Sequence, residues 1–379
     1  MRLPHLPLSA LTFALLLAAA PASLAAQATV GGQGFGYPPG QLGTRARGMA
    51  GAIAEHDAES PINPAALGLA ARTGLFFQYA PEFRVTEVSG IDERSSVIRF
   101  PLVGGVARLG ERLRVGVAAS ALLDRTFDVR AKSADTVNGE EVLATDRFRS
   151  DGGIGEFRLA ASWQLRRNLL VGAGVHAVTG ENRIGVERSF GDTLRLPLES
   201  RTISYSGGGL SVGAAWQLSR VLSIAASAKR GMDVRARSGD TLLSTGRAPD
   251  RLGGGIQFTG ISGTTLAARA EWMGWSSLAG LGSSRLGVSD GWDVGAGADV
   301  AGPRFGDRVM LLRAGARWRE LPFAAVGSQV REFELAGGIG IPLAYERSAI
   351  DLAVQRDARS AGDARERAWT ISVGVTVRP

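Results

Sequence analysis

The sequence predicts an all-β membrane protein, a transmembrane antiparallel β-barrel of about 14 strands with an N-terminal plug (hatch) segment. Three observations carry that prediction. From about residue 72 the chain divides into segments of about 10 to 15 residues whose apolar and polar residues alternate with period two. The connections between them are short and long in turn. The chain opens with an export signal, and no later stretch is long and apolar enough for a spanning helix.

Composition agrees. The 379 residues include 52 Gly, 45% are hydrophobic and only 7% aromatic, an unusual mixture for a packed soluble enzyme. A mean hydropathy of +0.05 is too low for a bundle of membrane helices. Alternating faces produce such a middle value. Without Cys there is no disulfide framework, thiolate metal site or Cys nucleophile. The net charge of +7 comes almost wholly from Arg, with Lys132 and Lys229 the only lysines, spread one or two per strand. No basic helix or tail is present, which argues against nucleic acid as a partner.

In chain order, residues 1–26 read as a signal peptide. Arg2 gives a positive start, residues 8–20 an apolar run, and Ala22-Ser23-Leu24-Ala25-Ala26 a cleavage site; Pro21 ends the run before it could span a bilayer. Residues 27–71 form the expected plug, and 72–379 the barrel. The Gly31 to Gly36 run has no preceding strand and the wrong spacing for a dinucleotide fingerprint.

The strands are centred near Phe77, Phe100, Val117, Leu159, Val171, Val212, Ile224, Ile256, Leu266, Ala296, Leu312, Leu335, Leu352 and Val373. In residues 308–319, Met310, Leu312, Ala314, Ala316 and Trp318 share one face, with Arg313, Gly315, Arg317 and Arg319 on the other. A strand with arginine at its middle and tryptophan at the end of its apolar face suits a lumen on one side and lipid with an aromatic girdle on the other. Trp163 and Trp216 lie near short-turn ends; Trp272, Trp292, Trp318 and Trp369 lie near long-loop ends.

Short turns are expected at Gly110-Glu111, Arg166-Arg167, Ser219-Arg220, Ile261-Ser262-Gly263, near Gly306 and near Glu346. Long polar loops are expected over 87–94, 131–151, 180–201, 232–247, 274–290, 320–330 and 357–366. This is the periplasmic and extracellular asymmetry of outer-membrane barrels, with both termini on the short-turn side. Ala134-Asp135-Thr136, Gly191-Asp192-Thr193 and Gly239-Asp240-Thr241 recur in three long loops and read as extended hairpins rather than a calcium site.

The plug carries Gly43, Arg45, Gly48, Gly51 and Ala52, an acidic Glu55-His56-Asp57-Ala58 stretch, and Asn63-Pro64-Ala65-Ala66-Leu67. In Asn63-Pro64-Ala65 the amide can bond nearby backbone and the proline fixes a turn, which would pin an irregular segment inside a lumen. These residues, with the strand number, resemble the FadL family of outer-membrane transporters for long-chain fatty acids and other hydrophobic compounds. The resemblance implies a hatch closing a fourteen-stranded barrel in the bacterial outer membrane, and a hydrophobic small molecule leaving sideways where the third strand kinks. Here that strand, 113–128, has no Gly or Pro after Gly116 to bend it. PorV-like proteins, which resemble FadL barrels and act in protein secretion and surface attachment, share the pattern and supply the second reading, with a secreted protein as partner.

Phe76, Phe83, Phe127 and Phe148 are candidate apolar lining for a substrate, and Arg99, Arg158, Arg269, Arg313 and Arg317 are expected to face the lumen. Expected partners are outer-membrane lipid, the hydrophobic solute, and the assembly machinery during biogenesis. The chain ends Val377-Arg378-Pro379, without the terminal aromatic that normally serves that machinery. No cofactor, metal or catalytic role is expected. Of the three His, His5 leaves with the signal, His56 reads as part of a solvated hatch loop, and His176 falls on a lumenal strand position with no visible catalytic partner.

Overall fold

A computed structural model describes residues 35–378, apart from 89–90, 138–139, 191–193, 282–286, 306–307, 326, 344–346 and 363. The signal peptide and residues 27–34 lie outside the described residues.

Sixteen antiparallel strands form one sheet: β1 (Gly74–Val88), β2 (Ile91–Leu109), β3 (Leu113–Asp124), β4 (Phe127–Val137), β5 (Glu140–Arg166), β6 (Leu169–Phe190), β7 (Leu194–Gln217), β8 (Leu222–Ser238), β9 (Thr241–Arg247), β10 (Asp250–Ile261), β11 (Thr264–Gly274), β12 (Gly291–Phe305), β13 (Arg308–Ala325), β14 (Ser328–Leu343), β15 (Ser348–Ala361) and β16 (Ala364–Val377). Fourteen of them close the wall. β4 pairs only with β5, β9 pairs with β8, and β8 continues to β10. β16 closes on β1 from Leu75↔Val377 to Glu87↔Arg365, so the ring has no open end. Closure matters because an unpaired strand edge would expose backbone polar groups to hydrocarbon. Every expected strand centre falls in one of the fourteen wall strands.

The wall has the two faces that the alternation predicts. Leu75, Val117, Leu159, Val212 and Leu335 project outward and are exposed, while polar neighbours such as Gln78, Arg158 and Arg317 are buried inside. Trp163, Trp216, Trp292, Trp318 and Trp369 are exposed on the outer face. The long polar stretches are a correction. Instead of loops, most are continuations of the wall: β5, β6 and β7 run 27, 22 and 24 residues. Antiparallel neighbours that keep pairing beyond the apolar band leave no backbone group unsatisfied, so polar residues extend the hairpins. Among the described residues, the stretch 274–290 holds a different element, the 3-10 helix Trp275–Leu281.

Candidate functional site

Residues 35–71 run through the lumen, and their contacts go round the wall. The short helix α1 (Thr44–Gly48) faces β13 to β16 and the 3-10 turn Pro64–Leu69 faces β3 and β5 to β7. Asn63 acts as the sequence suggests. Its side-chain oxygen accepts from the Ala65 N–H at 2.9 Å, and its amide donates to the carbonyls of Glu55 at 3.1 Å and of Ala214 on β7 at 3.2 Å. Pro64 occupies the first position of the turn, where its missing N–H costs nothing. Ala65 is fully buried, and Ser162 of β5 donates to its carbonyl at 3.0 Å. Asn63→Ala removes the cap and two bonds to carbonyls. We expect it to weaken the plug by about 1–2 kcal/mol, read as faster amide exchange over residues 62–70 with no change at β15; equal exchange would refute the role.

Glycines make the seat. A Cβ at Gly213 would overlap Asn63 Oδ1, and one at Gly172 would lie 2.5 Å from the Ala65 nitrogen. On the opposite wall, Gly315 meets the backbone of Met49 in the same way. Irregular backbone can press against a strand only where the strand has no side chain.

The inner face carries a belt of opposite charges spanning many strands. Arg251 on β10 meets Glu271 on β11 at 3.6 Å, and Arg269 meets Asp293 on β12 at 2.9 Å. Arg317 bonds Asp293 and, at 3.4 Å, Glu334; Arg319 bonds Glu332 on β14. Arg359 on β15 then joins Glu332, Glu366 and, at 2.9 Å, Glu82, while Arg99 pairs with Glu82 and, at 2.6 Å, with Asp124. Tyr37 of the plug sits in the belt. Its hydroxyl donates to Glu332 at 2.9 Å and accepts from Arg319 and Arg359, and the guanidinium of Arg359 lies 4.2 Å from its ring centre.

Among the described residues the wall is interrupted between β2 and β3. Pairing of β2 with β3 runs only from Leu109↔Leu113 to Leu102↔Ser120. Above it β2 continues to Ile91 with β1, while β3 shifts register against β5 between Ala121 and Leu123. Among the described residues no backbone pairing joins β2 above Leu102 to β3. The break coincides with this register shift in β3 and with Pro101 of β2, which has no N–H to donate. Tyr37 fills the place: its N–H donates to the Asp124 carbonyl at 2.7 Å, and the Asp124 N–H donates back at 2.8 Å.

Beside this break, Leu122 and Leu123 turn inward into an apolar cluster with Phe35, Ile154, Tyr205, Trp275, Leu278, Leu321 and Phe323. The long-hairpin half of the lumen is therefore greasy. Between the cluster and the plug lies a cavity of about 50 Å³, with Leu42, Ile62, Leu122, Met273, Trp275 and Leu321 as its apolar walls. At the short-turn end a wide vestibule of about 1130 Å³ is lined in part by His56, Asp57, Glu59, Thr376 and Arg378.

The candidate residues fall as follows. Arg99, Arg158, Arg269, Arg313 and Arg317 are all buried inside the barrel. Four are ion-paired; Arg158 keeps Nε and Nη1 without a hydrogen-bond partner among the described residues. Phe76 is buried against Leu67 of the plug. Phe83 is a correction. It is half exposed on the outer face, opposite Trp369, where it extends the aromatic girdle instead of lining the lumen. Phe127 and Phe148 are half-buried in the hairpin that rises above the wall. His56 is buried rather than solvated, and neither ring nitrogen has a partner among the described residues; desolvation lowers its pKa to about 4. His176 has partners after all, with Nδ1 2.7 Å from Glu156 and Nε2 2.8 Å from Ser211. The order is that of a hydrolase relay, but Lys229 holds the second Glu156 oxygen and all four groups are buried in the wall network.

Sequence reasoning missed Phe35, Trp275, Leu278, Leu321 and Phe323. Alternation breaks down at Leu321-Pro322-Phe323, which are all buried, and that lapse was the available signal.

No family model and no curated protein matches this chain. Solved structures do. A Pseudomonas aeruginosa FadL homologue superposes with a TM-score of 0.62 at 12% identity, covering 90% of this chain and 99% of its own. The Pseudomonas putida toluene transporter TodX gives 0.56 at 16% identity, covering 89% and 98%. The monoaromatic hydrocarbon channel CymD gives 0.56 at 15% identity, covering 89% and 97%. A closed wall of fourteen strands, a lumen occupied by the N-terminal segment, and these superpositions over nearly the whole length together give the chain the FadL-like outer-membrane barrel fold.

Proposed function

We propose that the protein carries hydrophobic small molecules, long-chain fatty acids or similar compounds, across the bacterial outer membrane. The observation that carries this is the interrupted β2–β3 ladder beside an apolar cavity. A greasy solute can descend through the apolar cluster, rest against Leu42 and Ile62, and leave into the bilayer between two strands instead of crossing the polar vestibule. Phe35 and Tyr37 close that exit, and Phe76, Phe127 and Phe148 lie below and above the path. The fold neighbours that transport toluene and conduct monoaromatic hydrocarbons support the same class. The secretion-partner reading has no comparable observation behind it.

A volume of about 50 Å³ is smaller than the roughly 150 Å³ cavity that admits benzene. Entry therefore requires the plug side of the cavity to yield. The test is uptake of labelled fatty acid and of labelled aromatic hydrocarbon by cells with and without the protein. Uptake of at least one of the two solutes several times faster with it is expected, and rates no different from those of cells without it for both solutes would end the proposal.

The vestibule end of the plug is expected to respond to pH. Burial first, then Asp57 and Asp351, raise the Glu59 pKa to about 7, against the Thr376 hydroxyl at 2.9 Å and Arg378 at 3.7 Å. A carboxyl raised on folding stabilises most below its ordinary pKa, and that contribution is lost as pH rises through about 7. Amide exchange over residues 56–61 should quicken between pH 5.5 and 8 beyond the intrinsic rate, and Glu59→Gln should flatten the difference. A Gln variant with an unchanged pH response would reject the assignment.

A further inference from the structure

We infer that the cavity accepts neutral hydrophobic molecules and discriminates against carboxylates, an inference that rests on the uptake reading and narrows its substrate class. Four arginines line the cavity, Arg251, Arg269, Arg317 and Arg319, which at first suggests a seat for an acid. Each is already ion-paired, although Arg251 Nε and Arg269 Nε have no hydrogen-bond partner among the described residues. Glu271 holds Arg251 and Arg269, Asp293 holds Arg269 and Arg317, and Glu332 holds Arg319. Glu271 and Asp293 themselves line the cavity, and Glu320 at its rim accepts from the Trp292 N–H at 3.2 Å.

An entering carboxylate would have to displace a resident one, and a buried carboxylate that loses its partner has no water to turn to. It would also pass Glu320. A neutral molecule needs none of these exchanges and gains from contact with Leu42, Ile62, Leu122 and Leu321. Arg158, whose guanidinium keeps two nitrogens without partners among the described residues, does not line this cavity.

Naphthalene and 2-naphthoate share a ring system and differ in charge. Saturable binding of each to the purified protein in detergent, defined by competition with excess unlabelled ligand at pH 7.5, should give naphthalene a Kd at least tenfold lower. Asp293→Asn, which leaves Arg269 with Glu271 and Arg317 with Glu334 as their remaining acids, should narrow that ratio at least fivefold; if that variant does not fold, Glu320→Gln should narrow it less but in the same direction. Naphthoate binding as tightly as naphthalene overturns the inference and leaves uptake standing, and loss of that binding in Arg158→Met would place the anion there. Saturable binding of neither ligand overturns the uptake reading as well.

Discussion

Replacing Arg359 with leucine is expected to destabilise the barrel by about 3–5 kcal/mol, the usual cost of removing one member of a buried ion cluster. The side chain has no exposure and touches Glu82, Glu332, Asp357 and Glu366, and its Nη2 donates to the Tyr37 hydroxyl at 2.8 Å. Leucine would leave these acids facing one another, with Arg84 and Arg99 still on Glu82 and Arg319 still on Glu332. It would also remove one of the three partners of the Tyr37 hydroxyl and the guanidinium 4.2 Å from its ring, which loosens the plug's hold on the break between β2 and β3. Arg356→Leu is the control. That guanidinium stacks 4.8 Å from the Trp369 ring on the outer face, and its loss should cost about 0.5–1 kcal/mol. Denaturant titration of both variants in the same detergent decides. A cost below about 1 kcal/mol for Arg359→Leu would show that the network does not hold the structure together in the way its geometry suggests.

Gly213→Val should unseat the plug while sparing the wall. The new side chain would occupy the position of Asn63 Oδ1 and press on Pro64, so the turn must leave β7. The wall strands pair with one another and need nothing from the plug for their own ladders. The expected phenotype is a barrel of normal mobility on cold denaturing gels that admits small hydrophilic sugars, measured by liposome swelling at a rate at least several times that of the parent. Gly254→Ala serves as control, since its nearest neighbour would be 3.7 Å away on the outer face. Swelling no faster than the control would mean that the Asn63 turn is not what closes the lumen.

Much of the architecture was legible before any coordinates. Period-two alternation located the fourteen wall strands because a strand between lipid and lumen must give each face its own chemistry. Asn63-Pro64-Ala65 was legible for a different reason, since its turn and cap are made largely within the motif. Phe83 shows the limit. An aromatic on a strand can serve a girdle or a lumen, and only the phase of the strand, read through Trp369 beside it, separates the two. His176 shows another. Glu156 and Ser211 lie on neighbouring strands, 20 and 35 residues away in sequence, and their approach depends on register.

By itself, then, the sequence determined that the chain is a barrel with an apolar exterior, an arginine-bearing interior and a leading segment unlike the rest, because these follow from patterns within about ten residues. Tertiary structure alone decided which glycines receive the plug, which acid neutralises each arginine, and where the wall opens. Those features depend on side chains brought together from distant strands, and a one-residue change of register would give every one of them a different partner.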